Sequence, residues 1–376
     1  MKIIYCLNSI QQIGGIENVT INKANALTQR GIEVGIIVTD HDVSIKNNLS
    51  DKVKVYDLDI NYYNDDWKSK YHILKGILIK RKRHKRVLTR ILKEINPDIV
   101  ISVGQSEKYF LPKIKGKWKT IREFHYCKNY RLKSAKNNFQ KLLAYCINFY
   151  DFNFILKKYD RIVVLTKEDK EKNWRNNNKI ICIPNPITIY PSKTSSLRNH
   201  KIVAVGRLVD QKNYISLIHA FKLVLDEMPL LVLEIWGKGI LENELKNYIY
   251  QNKLEKNILL RGETLNHNEI YSESDCLVLS SKYEGWGLVL TEAMAYGLPV
   301  IAYDCPCGPK DIIIDGKNGF LIPLNNECIM ADKICLLLGN EHLRKEMGKA
   351  ALDRVKDFNI DKIITLWENL FNKMLY

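Results

Sequence analysis

The chain has no apolar run long enough to cross a bilayer. The nearest approach, residues 142–156, is interrupted by Asn148, Asp151 and Asn153 and reads as a buried helix. There is no Cys-x-x-Cys pair. The nine cysteines are scattered, and Cys305 and Cys307 stand too close about Pro306 for an ordinary disulfide or zinc knuckle. The thiols therefore read as reduced and the compartment as cytosolic. Gly-x-Gly-x-x-Gly is absent, which removes the dinucleotide fingerprint. No repeat of fixed period is visible. Lys2 ahead of the short apolar stretch 3–7, ended by Asn8, reads as a first strand and not as an export segment.

Acidic charge is scarce in one half only. Residues 1–198 carry a net charge of +20 and residues 199–376 a net charge of −4, within a total of +16. The basic half thus expects an anionic partner. With 376 residues, 46% hydrophobic and 27% charged, the chain is globular and long enough for two cores.

Short β-rich runs alternate with helical patterns. Strands are expected at residues 2–7, 33–39, 53–58, 99–103, 120–124, 161–165 and 179–183. Helices are expected at 17–30, 68–95, 130–158 and 167–175. Proline and small polar residues follow at 184–196, the composition of a linker. The alternation resumes with strands at 201–205, 231–236, 257–261, 276–280 and 299–303. Helices are expected at 216–227, 241–252, 266–272 and 287–296, and the chain is helical after Pro323. Such alternation implies an α/β fold with parallel sheets covered on both faces. Two doubly wound domains place their strand ends at a cleft where ligands bind.

The segment from Ser281 to Glu292 is the most informative. Glu284 and Glu292 lie eight positions apart, around Gly285-Trp286-Gly287 and then an apolar helical run that stops at Gly297. Glu284 falls in the loop and Glu292 about two turns into the helix. Glycines allow close backbone approach, and the first helical N–H groups, near Gly287 and Leu288, form an anion site. Carboxylates beside an anion site suit a sugar nucleotide, with N–H groups on phosphate and carboxylates on hydroxyls. Gly206-Arg207-Leu208 and Lys212 follow the first strand of the second half. Arg207 supplies a forked pair and Lys212 a point charge for a diphosphate. Gly14-Gly15 opens the first helix and reads either as an ordinary βα turn or as a phosphate-facing loop, with Glu17 a favourable first-turn charge. His125 ends a strand, where an active-site residue would stand.

The Ser281–Glu292 segment with Gly297-Leu-Pro-Val300 resembles the signature of the retaining glycosyltransferases of family 4. Gly206-Arg207-Leu208…Lys212, Gly14-Gly15, His125 and Asn185-Pro186 are similar to further elements of that family. The resemblance implies a GT-B architecture, two Rossmann-like domains facing each other across a cleft. Residues 1–186 would be the acceptor-side domain and 199–356 the nucleotide-sugar domain. Residues 357–376 would form a last helix packing back on the first domain. It implies that Glu292 holds the ribose and Glu284 the sugar hydroxyls. Arg207 and Lys212 would hold the diphosphate and stabilise the leaving group, and His125 would stand near the donor sugar, although Arg-Glu-Phe-His-Tyr departs from the commoner spacing. Gly14, Gly15, Gly206, Gly285, Trp286, Gly287 and Leu288 would line the donor. The implied donor is a UDP-hexose or UDP-N-acetylhexosamine. The implied acceptor is a saccharide on a polyprenyl diphosphate, in surface polysaccharide or oligosaccharide assembly. No cofactor or metal is implied, since basic residues do the metal's work and no Asp-x-Asp element precedes a plausible site.

The loop from Asp304 to Pro309 is expected to line the donor site. The basic run Lys80–Arg86, on a helical pattern with apolar neighbours, reads as a solvated face or as an interfacial helix at anionic lipid, at the inner face of the plasma membrane. Tyr62, Tyr63, Trp67 and Tyr71 would assist there or belong to the core. A polyanion- or nucleic-acid-binding protein accounts for the +20 charge but not for Glu284 and Glu292; a sugar-nucleotide epimerase or a phosphorylase on the same fold is a further alternative.

Overall fold

A computed structural model describes residues 1–10, 14–40, 48–62, 70–174 and 177–376, with backbone alone for 70–75 and 77. Tyr63, Trp67 and Arg175, and the Tyr71 side chain, lie outside the described residues.

The first sheet has seven parallel strands: β1 (Lys2–Leu7), β2 (Glu33–Val38), β3 (Lys54–Asp57), β4 (Ile99–Ser102), β5 (Lys119–Phe124), β6 (Arg161–Val164) and β7 (Ile180–Cys182). Their spatial order is β3-β2-β1-β4-β5-β6-β7. The second has six: β8 (Lys201–Val205), β9 (Val232–Trp236), β10 (Ile258–Gly262), β11 (Cys276–Leu279), β12 (Val300–Tyr303) and β13 (Gly319–Ile322), ordered β10-β9-β8-β11-β12-β13. Strands such as β1 and β4 are nearly all buried, as parallel strands covered on both faces must be. In each sheet the order reverses beside the first strand, β1 or β8, which opens a crevice at the strand ends.

Helices α1 (Gly15–Gln29), α2 (Lys70–Ile95), α3 (Tyr130–Ser134), α4 (Asn138–Tyr150) and α5 (Lys167–Asn173) belong to the first half. The second half holds α6 (Tyr214–Glu227), α7 (Glu242–Gln251), α8 (His267–Tyr271), α9 (Leu288–Ala295), α10 (Pro309–Ile312), α11 (Glu327–Gly339) and α12 (Glu341–Val355). The last helix, α13 (Ile360–Leu375), returns to the first sheet. Its Ile363, Ile364, Trp367, Leu370 and Phe371 join the core of β1, β2 and β4. Arg30, which caps the C-terminus of α1, clamps it through Asp361 and Glu368.

Three sequence expectations need correction. The helix expected over 130–158 is broken: α3 stops at Ser134, and Asn137 caps a new helix by accepting from the Gln140 N–H at 2.9 Å. The stretch 142–156 is not a buried helix, because Leu142, Leu143, Tyr145 and Phe149 are exposed. The last parallel strand is β13, not residues 299–303. No strand is expected at residues 319–322, but a Cβ on Gly319 would sit 2.0 Å from the Val300 carbonyl, so the glycine is what lets β13 lie against β12.

One buried ion pair locks α13 and α1 to β5. Lys23 donates to Glu123, and each side chain is 1% exposed. The ammonium also lies 4.6 Å from the centre of the Trp367 ring. Burial alone would raise the Glu123 carboxyl; Lys23 and His125 outweigh it and bring it from 4.5 down to about 2. The carboxylate's stabilising effect is therefore whole above about pH 4.5 and is lost as pH falls toward 2. Glu123→Gln strands the Lys23 charge and should cost ~3–5 kcal/mol, read as a lower thermal midpoint. The double variant Lys23→Met/Glu123→Leu should recover most of that loss, and both should lose the wild-type slope of stability below pH 4.5.

Candidate active site

Two strand-end loops of the second sheet are zipped together. After β8 the chain turns at Gly206, whose φ of +150° favours glycine and whose carbonyl accepts from Tyr214 Oη at 2.9 Å. A single 3₁₀ turn at Asp210–Lys212 follows, and Asn213 takes a left-handed φ of +53° before α6. The loop after β11 runs alongside. Ser280 Oγ donates to the Lys212 carbonyl at 2.7 Å, the Lys282 N–H to the Gln211 carbonyl at 2.8 Å, and Gln211 Nε2 to the Tyr283 carbonyl at 2.9 Å. The outcome is a fixed pair. Lys212 Nζ sits 2.7 Å from Glu284 Oε1, with the side chains 14% and 9% exposed.

Glu292 lies in the same field. It is the fifth residue of α9, about one turn in and not two, because the helix begins at Leu288 after Gly287 at φ +93°. Tyr271 Oη donates to Glu292 Oε2 at 2.9 Å. Burial raises the Glu292 carboxyl, while His267 and Lys212 oppose the rise. Lys212 therefore acts on both glutamates singled out from the sequence.

The first half closes over this site with almost no clearance. A Cβ on Gly285 would stand 2.0 Å from the His125 carbonyl oxygen, and one on Gly15 would stand 2.6 Å from Leu288 Cδ1. So Gly15 and His125, from two strand ends of the first sheet, meet Gly285 and Leu288 across the cleft. Gly14 lies beside Glu17, whose carboxylate folds back on it. The His125 imidazole is buried, with Nε2 3.2 Å from Glu123 Oε1 but not aimed at it for a hydrogen bond. It continues the Lys23–Glu123 pair from the core to the cleft.

Not every expected residue offers its side chain. Trp286 is 3% exposed and packs edge-on to Phe358 at 5.1 Å, so its indole belongs to the core and only its backbone faces the loop. Arg207 is exposed on the loop after Gly206. The 304–309 loop is tied to the site and to the other domain. The Glu284 N–H donates to the Pro306 carbonyl at 3.1 Å, and the Cys307 N–H to Glu168 Oε2 of α5 at 3.0 Å. Asp311 accepts from the Lys167 and Glu168 N–H groups at 2.9 and 3.2 Å. Sequence reasoning passed over Tyr271, Gln211, Tyr214 and Glu123. Only Glu123 carried a signal, a carboxylate next to Arg122 in a strand of a sheet that is covered on both faces.

Paired Rossmann-like domains with an acid–base cluster at facing strand ends define an enzyme of the GT-B architecture. Residues 13–189 match the family described as Glycosyltransferase Family 4, and residues 189–354 the one described as Glycosyl transferases group 1. The chain is 30% identical to an uncharacterized glycosyltransferase of Haemophilus influenzae, over 98% of this chain and 99% of that protein. It is 32% identical to a poly(ribitol-phosphate) alpha-N-acetylglucosaminyltransferase of Staphylococcus aureus, over 57% of this chain and 44% of that one. Its fold matches S. aureus TarM bound to UDP, fondaparinux and alpha-GlcNAc-glycerol, with a TM-score of 0.79 at 18% identity over 99% of both chains. It also matches the pneumococcal O-GlcNAc transferase GtfA bound to UDP and GlcNAc, with a TM-score of 0.76 at 18% identity over 100% and 99%. The chain belongs to the family 4 glycosyltransferases.

The cleft contacts set up a graded test. Gly285→Ala drives a methyl into a backbone carbonyl that cannot yield, whereas Gly15→Ala meets the movable end of Leu288. The first should leave the fold intact by circular dichroism yet lower kcat/KM by about 100-fold through a misplaced cleft; the second should cost far less.

Proposed function

We propose that the enzyme transfers a sugar, with retention, from a UDP-hexose or UDP-N-acetylhexosamine to a saccharide acceptor carried on a polyprenyl diphosphate. The reaction would serve surface polysaccharide or oligosaccharide assembly at the inner face of the plasma membrane. The observation that carries this reading is Lys212 held beside Glu284 and in the field of Glu292, at strand ends that face His125.

In the closed cleft the donor diphosphate competes with Glu284 for Lys212. Once the phosphate takes the ammonium, Glu284 is released to accept from the sugar hydroxyls. Arg207, on the same loop, swings in from solvent as a second cation. The free N–H groups at Gly287 and Leu288 take a phosphate oxygen. Glu292, oriented by Tyr271, accepts from the ribose. As the anomeric bond breaks toward an oxocarbenium-like state, negative charge gathers on the leaving phosphate. Pre-set cations then supply the largest catalytic effect. His125 stands by the donor sugar. The acceptor hydroxyl attacks from the face the leaving group departs, and that phosphate takes its proton. The two cations fill the role of a divalent metal.

The acceptor and the compartment rest on the basic first half. Its net charge of +20 draws in an anionic lipid-linked substrate and the surface that bears it. Relatives include a Bacillus subtilis poly(glycerol-phosphate) alpha-glucosyltransferase and the Erwinia amylovora amylovoran biosynthesis glycosyltransferase AmsD, which supports a polymer-building role.

A thermal-shift panel tests the donor site. UDP should raise the melting midpoint and RNA should not; an RNA response with none to UDP would favour the polyanion reading. Lys212→Ala should reduce turnover about 100-fold, or ~3 kcal/mol, Arg207→Ala should reduce it as well, and Glu292→Ala should weaken UDP binding more than it slows turnover. Chelation of divalent metal should leave the rate unchanged. Unaltered turnover in all three variants would remove the site assignment.

A further inference from the structure

Helix α4 is packed inside out. A surface helix normally buries its apolar stripe and shows water its polar one. Here the residues of α4 that are buried are Ala144 and Asn148, followed by Asp151 in the next turn. Their partners are charged. Arg131 donates to Asn148 Oδ1 at 2.8 Å and pairs with Asp151 Oδ2 at 3.0 Å, and Lys108 reaches the same Asp151 oxygen at 2.8 Å. Facing outward are Phe139, Leu142, Leu143, Tyr145, Phe149 and, one turn on, Phe154, between 51% and 75% exposed. A contiguous apolar face of this kind marks an interaction surface.

The sequence around α4 is strongly basic. Residues 103–158 contain thirteen lysines and arginines against three acids, Glu107, Glu123 and Asp151, and all three acids are buried. Every exposed charge of that stretch is therefore positive. The basic run of α2 borders the same face. Arg81 stacks over the Tyr109 ring at 4.2 Å, and Arg81, Tyr109 and Lys113 share a groove with Cys146, Ile147 and Tyr150 of α4. Leu78 and Ile79 of α2 are each 59% exposed.

We propose that α4 with the turn through Phe154 is a blade that enters the headgroup–acyl boundary of an anionic bilayer, lying in its plane while the α2 run holds the anionic headgroups. This rests on the membrane reading above and names the element that inserts. Aromatics and leucines on one face, within a stretch whose exposed charges are all lysine and arginine, are the composition of an interfacial helix. A second copy of the chain fits poorly, since a two-fold contact would set one basic stretch against another.

The full-length enzyme is pelleted with vesicles of phosphatidylcholine alone or mixed with phosphatidylglycerol. Three proteins are compared: wild type, Phe149→Ser/Phe154→Ser, and a form with the charges of Lys80–Arg86 neutralised. Both phenylalanines point to solvent, so the double variant should keep the wild-type melting midpoint and its turnover on a water-soluble acceptor. It should lose about 100-fold in partitioning to phosphatidylglycerol vesicles, roughly tenfold per aromatic. Phe149→Trp should blue-shift its emission on those vesicles and be quenched by brominated lipid. Double-variant pelleting equal to wild type, with the charge-neutralised form released, would overturn the blade and leave the membrane reading standing. A wild type that ignores phosphatidylglycerol vesicles would overturn both. A concentration-dependent dimer that the double variant abolishes would assign the face to self-association and overturn the blade.

Discussion

The architecture turns on how closely two backbones approach. Gly285 lies so near the His125 carbonyl that a methyl group has no room, and Gly308 approaches the Trp286 carbonyl in the same manner. The first contact joins a strand end of one domain to a loop of the other without an intervening side chain, and the second packs two loops of the same domain together. Whatever binds between Gly15, His125 and the Glu284 loop is thereby held from both sides. Lys212 and Glu284 depend on the same closeness, because Glu284 is tied to Pro306 and the neighbouring Cys307 to α5 of the first domain. A shift of the seam would move the acid–base cluster with it.

Behind the seam runs a charged line through the core. Lys23, Glu123 and His125 connect α1 and the ring of Trp367 on α13 to the edge of the cleft. Burying such charges is costly unless each has its partner, and the arrangement fixes one geometry. The last helix thus does more than cover the first sheet, since it packs on the residue that orders Glu123 and through it the surroundings of His125. The chain passes between the domains twice, side by side, where the Ile187 N–H donates to the Phe358 carbonyl at 2.9 Å.

Much of this was legible because parallel α/β folds write themselves locally. Short apolar runs became strands within a residue or two, and the glycines around Glu284 announced a close approach. What they approach was not legible: Gly285 meets another domain's peptide group, and no local pattern names a partner 160 residues away. The pairing of Lys212 with Glu284 likewise comes from two loops brought together by strand order. The nature of α4 was misread for a physical reason. Its apolar residues suggested burial, yet its buried side is set by Asn148 and Asp151 against Arg131 and Lys108. The motif sets Trp286 on the donor loop, and the structure buries its indole against Phe358.

The central claim is that the Lys212–Glu284–Glu292 cluster is where a nucleotide diphosphate sits. A crystal structure of the enzyme grown with UDP tests it most directly. The account predicts the diphosphate within hydrogen-bonding reach of Lys212 and the amides at Gly287 and Leu288, with a ribose hydroxyl on Glu292 and the Lys212–Glu284 pair opened. UDP bound elsewhere, with that pair intact, would contradict it.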